Sequence, residues 1–173
     1  VLRDQLFIDG FEALENPNSD AWIRVAEGCA LSAGLIGGIG GAQCRAALAH
    51  PVHNGLTQLK FSPKALHGEI VAIGILIQLE IEGVYSKNLL AQQAKEQLIK
   101  FLSKINLPLS IESLGLKDIT NIEIKKACEF ILQNHSEIHN LPFPINEKEL
   151  IESIAQFKRM ESVMEANRIA KSK

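Results

Sequence analysis

Five histidines occur in the chain, and His50, His53 and His67 fall within one stretch. An imidazole nitrogen can ligate a divalent cation or carry a proton near neutral pH. His50 and His53 are three residues apart, a spacing that puts both on one helix face. His67 comes 17 residues after His50, beyond a segment long enough to reverse direction. Two antiparallel helices could therefore bring His50 and His67 to one metal ion. The same spacing also suits satisfied core or surface histidines, and the residues alone leave both readings open. Glu69 could orient an imidazole or simply place negative charge at a helix N-terminus, the second use requiring less. His135 and His139 read as helix C-terminal charges or turn residues. Cys44, near His50, reads as a small buried apolar residue rather than a nucleophile.

The glycine cluster Gly34, Gly37, Gly38, Gly40 and Gly41 is the other candidate for chemistry. It does not form a nucleotide loop. Gly38 and Gly40 fit a G-x-G-x-x-G pattern, but Gln43 stands where the third glycine belongs. No strand signal precedes the cluster, and G-x-x-x-x-G-K-[ST] is absent from the chain. Close packing of a helix and a turn is the expected use, letting backbone approach the histidine helix or a ligand beside it.

The elements that must position these groups read as helices throughout, because alternating β-branched runs bounded by tight turns are missing. Residues 2–14 predict an amphipathic helix, broken at Asn16-Pro17-Asn18-Ser19. Ser19 is placed to cap the next helix, which carries Trp22, Val25, Cys29 and Leu31 and is expected to fade in the glycine cluster. A third helix over about residues 42–59 would hold Pro51 in its interior and kink there. Residues 60–66 form a loop. The segment 67–83 is apolar on all sides and predicts a buried central helix closed by Gly83 as C′ residue. Ser86 would cap a helix reaching about Ile105, and Asp118 or Thr120 would open one ending near Asn134. The run from His139 to Pro144 predicts an extended segment. Asn146 and Glu149 form a capping box for a last helix that runs into a charged tail. The fold class is all-α, a bundle of about six or seven helices in a single domain over residues 1–173.

Composition agrees with a soluble globular chain. Hydrophobic residues make up 46% and charged residues 22% of the 173 residues. The formal net charge of −2 argues against a dedicated nucleic-acid binder, which would carry a basic excess. Cys29, Cys44 and Cys128 are few, odd in number and far apart, and read as free thiols in a reducing compartment. The most apolar run, Ile70 to Ile77, is far short of the roughly 20 residues that span a bilayer. No secretory signal is read at the N-terminus, and a cytoplasmic chain with no membrane partner is the expectation. A first residue of Val rather than Met suggests a processed, truncated or partial chain.

The histidine stretch also carries a resemblance. Ala49-His50-Pro51-Val52-His53-Asn54-Gly55-Leu56-Thr57, followed by Leu66-His67-Gly68-Glu69-Ile70-Val71-Ala72-Ile73-Gly74, resembles the metal-site signature of the glycerol dehydrogenases. These belong to the iron- or zinc-containing alcohol and polyol dehydrogenase family. Residues 101–116 (FLSKINLPLSIESLGL) look like the family's connector after a helix end. Ile138-His139-Asn140-Leu141-Pro142-Phe143-Pro144 looks like a segment near the family's C-terminus. The resemblance runs from about Trp22 to Ile154.

The resemblance implies the all-helical C-terminal lobe of such an enzyme, similar to the corresponding domain of dehydroquinate synthase. A separate N-terminal domain would bind NAD, with the active site between the two. By motif position His50 and His67 would ligate a zinc or iron ion, and His53 would lie near substrate and nicotinamide as a catalytic group. The substrate would be a small alcohol or polyol, the partners the dinucleotide-binding domain and further copies in a homo-oligomer. The chain departs from the family where the third ligand is concerned. Nothing in residues 1–49 looks like the family's G-D motif, and Asp4, Asp9 and Asp20 lack its context. Ile70 also replaces the usual Lys after His-Gly-Glu. The isolated chain is therefore expected to bind metal weakly and to be inactive. Two alternatives remain, a non-catalytic helical assembly module and a lobe of a dehydroquinate-synthase-like lyase. The I-H-N-L-P-F-P segment and the H-P-V-H-N-G spacing favour the dehydrogenase.

Overall fold

A computed structural model of the chain describes residues 2–41, 47–60, 63–133 and 136–158. Cys44 and His135, and the ends of the helices expected to begin near residue 42 and to close near Asn134, lie outside these. The described residues contain seven continuous helices and no strand: α1 (Leu2–Glu15), α2 (Asp20–Gly40), α3 (Ala49–Thr57), α4 (His67–Val84), α5 (Leu89–Lys104), α6 (Asn121–Ile131) and α7 (Glu147–Gln156). The all-α expectation holds. A short 3-10 turn spans Glu137–Asn140, so His139 and Asn140 are helical rather than extended. Leu141, before Pro142, takes the extended backbone that a following proline favours.

The chain forms two compact units. The first holds α1, α2 and residues 104–106. Ser19 caps α2 as its sequence position predicts, its Oγ accepting from the Trp22 N–H at 3.1 Å. Asp9, only 5% exposed, accepts from the Arg24 guanidinium at 2.8 and 2.9 Å and also pairs with Gln5. The guanidinium holds the Asp9 carboxyl below its usual range. The Lys104 ammonium lies 3.8 Å from the centre of the Phe11 ring.

α2 does not fade at the glycines. It continues through a π-helical stretch, Gly28–Ala33, and a further α-helical segment, Gly34–Gly40, and stops at Gly41, whose φ of 58° suits glycine. A Cβ added at Gly34, Gly37 or Gly38 would meet nothing within 4 Å, so these glycines serve no close approach among the described residues. Leu31, Leu35, Ile36 and Ile39 are exposed along the same helix. At 21 residues α2 is long and apolar enough, by length and composition alone, to cross a membrane.

The second unit carries α3, α4, most of α5, α6 and α7. Its core joins Leu48, Val52 and Leu56 to Ile73, Leu76, Ile77 and Ile81 of α4, Ile124 and Ile131 of α6, and Leu150 and Ile154 of α7. α4 is central, though Ile75 reaches solvent. It does not close at Gly83. The helix runs on to Val84, and Gly83 instead lies against Gln92, whose amide donates to the Gly83 carbonyl at 2.9 Å. A Cβ there would meet the Gln92 side chain at 2.6 Å. α5 is capped by Asn88 rather than Ser86, the Asn88 Oδ1 accepting from the Leu90 and Ala91 N–H groups. Thr120 with Glu123 and Asn146 with Glu149 form capping boxes for α6 and α7. Inside the core, Glu80 is buried and paired with Lys95.

α3 begins later than its sequence suggests, at Ala49, and Pro51 is therefore its third residue. The N–H groups of a first turn have no intrahelical acceptor, so proline costs no ladder bond there. No interior proline is left to impose the expected kink. The first backbone bond of the helix runs from the Val52 N–H to the Leu48 carbonyl at 2.9 Å. The Leu48 N–H donates to the Gln78 side chain of α4 at 3.0 Å.

Two glycines set the position of α3. A Cβ on Gly74 would sit 2.5 Å from the Ala49 carbonyl oxygen and 2.8 Å from its Cα, and one on Gly55 would meet Ile131 and the Ala127 carbonyl below 3 Å. Both obstacles include backbone, which cannot swing aside. Gly74→Ala should lower unfolding free energy by about 1–3 kcal/mol, the usual cost of overpacking. Gly37→Ala, in an open helical position, should leave stability unchanged or raise it by about 0.5–1 kcal/mol. Urea denaturation of the two variants, followed by far-UV circular dichroism, checks both signs.

Candidate metal centre

The Gly74 contact presses α4 against α3 at Ala49, one residue before His50. His50 and His53 project from the first and second turns of α3, and His67 is the first residue of α4. The structure brings all three together. The rings of His50 and His67 have centroids 5.7 Å apart, inclined at 48°. Those of His53 and His67 are 4.3 Å apart in an edge-to-face arrangement, with His53 Nε2 and His67 Nδ1 at 3.0 Å. His67 is thus the middle member of the cluster. His50 and His53 are half-buried and His67 is exposed at the helix end.

Glu69 does not orient any of these rings. Its Oε2 accepts from the Leu66 N–H at 2.7 Å and so caps the N-terminus of α4. This is the simpler of the two uses open to it, and it fixes the turn from which His67 departs. His139 is remote in role: its Nε2 lies 3.0 Å from the Gln133 carbonyl, as a turn residue would.

Sequence reasoning passed over Asn54. Its Oδ1 lies 3.0 Å from His53 Nδ1, so an Asn–His–His chain of polar contacts crosses from α3 to α4. The only sequence signal was its place directly after His53. Asn54 also borders a small cavity of about 220 Å³ with Pro51, Phe130, Gln133, Ser136 and Glu137.

The donor chemistry suits part of a metal site. Two imidazoles on separate helices, held by a rigid contact, are a common pair of ligands for zinc or iron. Among the described residues, however, no group of three His, Cys, Asp or Glu side chains could hold an ion. The cluster is chemically a half-site, needing at least one further donor.

The cysteines take no part among the described residues. Cys128 is fully buried between α6 and its neighbours, and burial, with smaller contributions from Glu147 and Glu129, pushes its thiol up to about 12.

Comparison with known proteins places the chain. No protein-family model matches it. It is 47% identical to an uncharacterized oxidoreductase of Synechocystis sp. over 87% of its own length and 39% of that protein's. It is 33% identical to the glycerol dehydrogenase of Thermotoga maritima over 67% of its length and 30% of the relative's. A crystal structure of a probable glycerol dehydrogenase from Sinorhizobium meliloti superposes with a TM-score of 0.74 and 25% identity, over 92% of this chain and 43% of that one. The chain thus spans well under half the length of the relatives it matches.

Thiol chemistry gives a check on the packing. A thiol raised to about 12 stays protonated at neutral pH and above. Cys128 should therefore resist alkylation in the native chain and react only after unfolding, whereas Cys29, exposed on α2, should react at once. Peptide mass mapping after a brief iodoacetamide pulse at pH 8 would show both.

Proposed function

The chain is homologous to the glycerol dehydrogenases and related oxidoreductases, and on that footing we propose that it is the metal- and substrate-binding lobe of an NAD-dependent polyol dehydrogenase. The intact protein would oxidise a glycerol-like alcohol, passing hydride from carbon to the nicotinamide ring and releasing the hydroxyl proton. NAD would be held mainly by a dinucleotide-binding domain outside this chain. The observation that supports this most directly is the gathering of His50, His53 and His67 across the α3–α4 contact.

In this reading His50 and His67 would be two of the ligands of a divalent ion, zinc or iron. A bound ion of this class acidifies a coordinated hydroxyl, as it does a bound water. As neutral ligands the two imidazoles would cancel none of the ion's formal charge. A third donor, an Asp by the family pattern, would have to come from outside the described residues. His53 is the remaining imidazole of the cluster, and we assign it to the substrate side, near the nicotinamide. The relative placement of the three rings rests on the α3–α4 contact, since they leave two different helices.

A second reading is favoured by one feature of α2. Its exposed Leu31, Leu35, Ile36 and Ile39 would suit a helical module that works by association, without chemistry of its own. Light scattering coupled to size exclusion separates the two, since a pure assembly module should associate whether or not zinc and NAD are present.

The dehydrogenase reading predicts weak zinc binding by the purified 173-residue chain. His50→Ala and His67→Ala should each lower that affinity by about tenfold or more, in line with the loss of a ligand. The same chain should show no NAD-dependent oxidation of glycerol. Competition with a chromogenic chelator reads the affinity, and NADH absorbance reads the activity. Zinc binding indifferent to both substitutions would overturn the assignment of the ligands.

A further inference from the structure

The side-chain contacts around His67 form a directed chain, and its direction decides which nitrogen of His67 is open to a ligand. An amide oxygen can only accept a hydrogen bond. With Asn54 Oδ1 at 3.0 Å, His53 Nδ1 must carry the proton. A neutral imidazole has one N–H, so His53 Nε2 is left as an acceptor. The group facing it at 3.0 Å, His67 Nδ1, must then be the donor. His67 consequently keeps its proton on Nδ1 and a lone pair on Nε2. Turning the Asn54 amide over would reverse every link. An NH2 group facing His53 would make Nδ1 of His53 the acceptor, put its proton on Nε2, and force the His67 proton onto Nε2, where it would block coordination.

We propose that Asn54 and His53 act as positioning residues that fix the tautomer of His67, so that its Nε2 lone pair is held ready for a metal ion. The inference rests on the reading of His67 as a ligand, but the tautomer itself exists without metal and is measured without it. A relay of this kind spares the site a tautomer switch on metal binding and fixes the ring plane, which raises affinity. It also gives a role to an exposed amide directly after a histidine: without being a ligand itself, Asn54 would set through its oxygen the protonation of a ring on another helix.

The test is a long-range proton–nitrogen correlation spectrum of the metal-free, 15N-labelled chain, recorded above about pH 8, where ordinary imidazoles are neutral. His67 should show a protonated Nδ1 and an unprotonated Nε2, the tautomer less favoured by free histidine in water. Asn54→Leu removes the acceptor, and His67 Nε2 should move from the unprotonated to the protonated position. Asn54→Asp keeps the acceptor and should preserve the unmodified pattern. Zinc affinity should fall by about 10–100-fold in Asn54→Leu, the usual effect of losing a partner behind a metal-binding histidine, and hold in Asn54→Asp. An Nε2–H tautomer or a mixture at His67 in the unmodified chain would refute the relay, with no variant needed. An unchanged His67 spectrum in a folded Asn54→Leu variant would refute it equally. If His67 shows the expected tautomer but His67→Ala leaves zinc binding intact, the relay stands and the assignment of the ligands falls.

Discussion

The contact between Gly74 and Ala49 is the constraint on which the second unit is organised. Only a residue without a Cβ lets α4 approach the Ala49 carbonyl this closely, and that approach sits one residue from His50. The same pair of helices is tied again where Gln78 of α4 accepts the Leu48 N–H, which closes a backbone donor at the start of α3. On its other side α3 is seated against α6 through Gly55, Ala127 and Ile131. A short helix of nine residues would be marginal alone. Held at both sides by glycine contacts, it becomes a rigid carrier for two histidines.

That rigidity matters because the cluster combines groups from different elements. His67 leaves the first turn of α4, whose N-terminus is capped by Glu69. His50 and His53 leave α3. Nothing local to either helix brings the rings within 5.7 Å and 4.3 Å of one another. Packing does so, and the polar chain through Asn54 then adds direction to proximity. The buried apolar side chains thus do more than stabilise: they set the distances on which hydrogen bonding and coordination chemistry depend.

The first unit follows a different rule. Its buried side chains among the described residues are few, Asp9, Ala13 and Ala21, and α1 and α2 are joined by the Asp9–Arg24 ion pair. α2 persists through five glycines and a π-helical stretch, where intrinsic propensity would have ended it. Helical hydrogen bonding outweighed the entropic cost of those glycines, and the result is a long apolar helix with its leucines and isoleucines exposed.

Much of this was legible from the chain alone, for identifiable reasons. Helix starts at Ser19 and Asn146, and at Thr120 as one of two candidates with Asp118, could be read because a cap and its partner lie within three residues of one another. The all-α class followed from periodicity, and the relation to glycerol dehydrogenases from the two histidine motifs and the I-H-N-L-P-F-P segment. The failures are equally instructive. Gly83 reads as a terminator and is a contact surface for Gln92; Pro51 reads as a kink and falls in a first turn; Asn54 carries no signal beyond its place directly after His53. Each outcome depends on a contact with a neighbouring element: Gln92 of α5 for Gly83, the Leu48–Gln78 bond at the start of α3 for Pro51, and the His53–His67 contact for Asn54. By itself the sequence determined the residue types, their helical spacing and their caps, since those are local properties. Which nitrogen meets which, and which glycine is indispensable, was decided only by the tertiary structure, because both are set by the distance between backbones that no short-range pattern encodes.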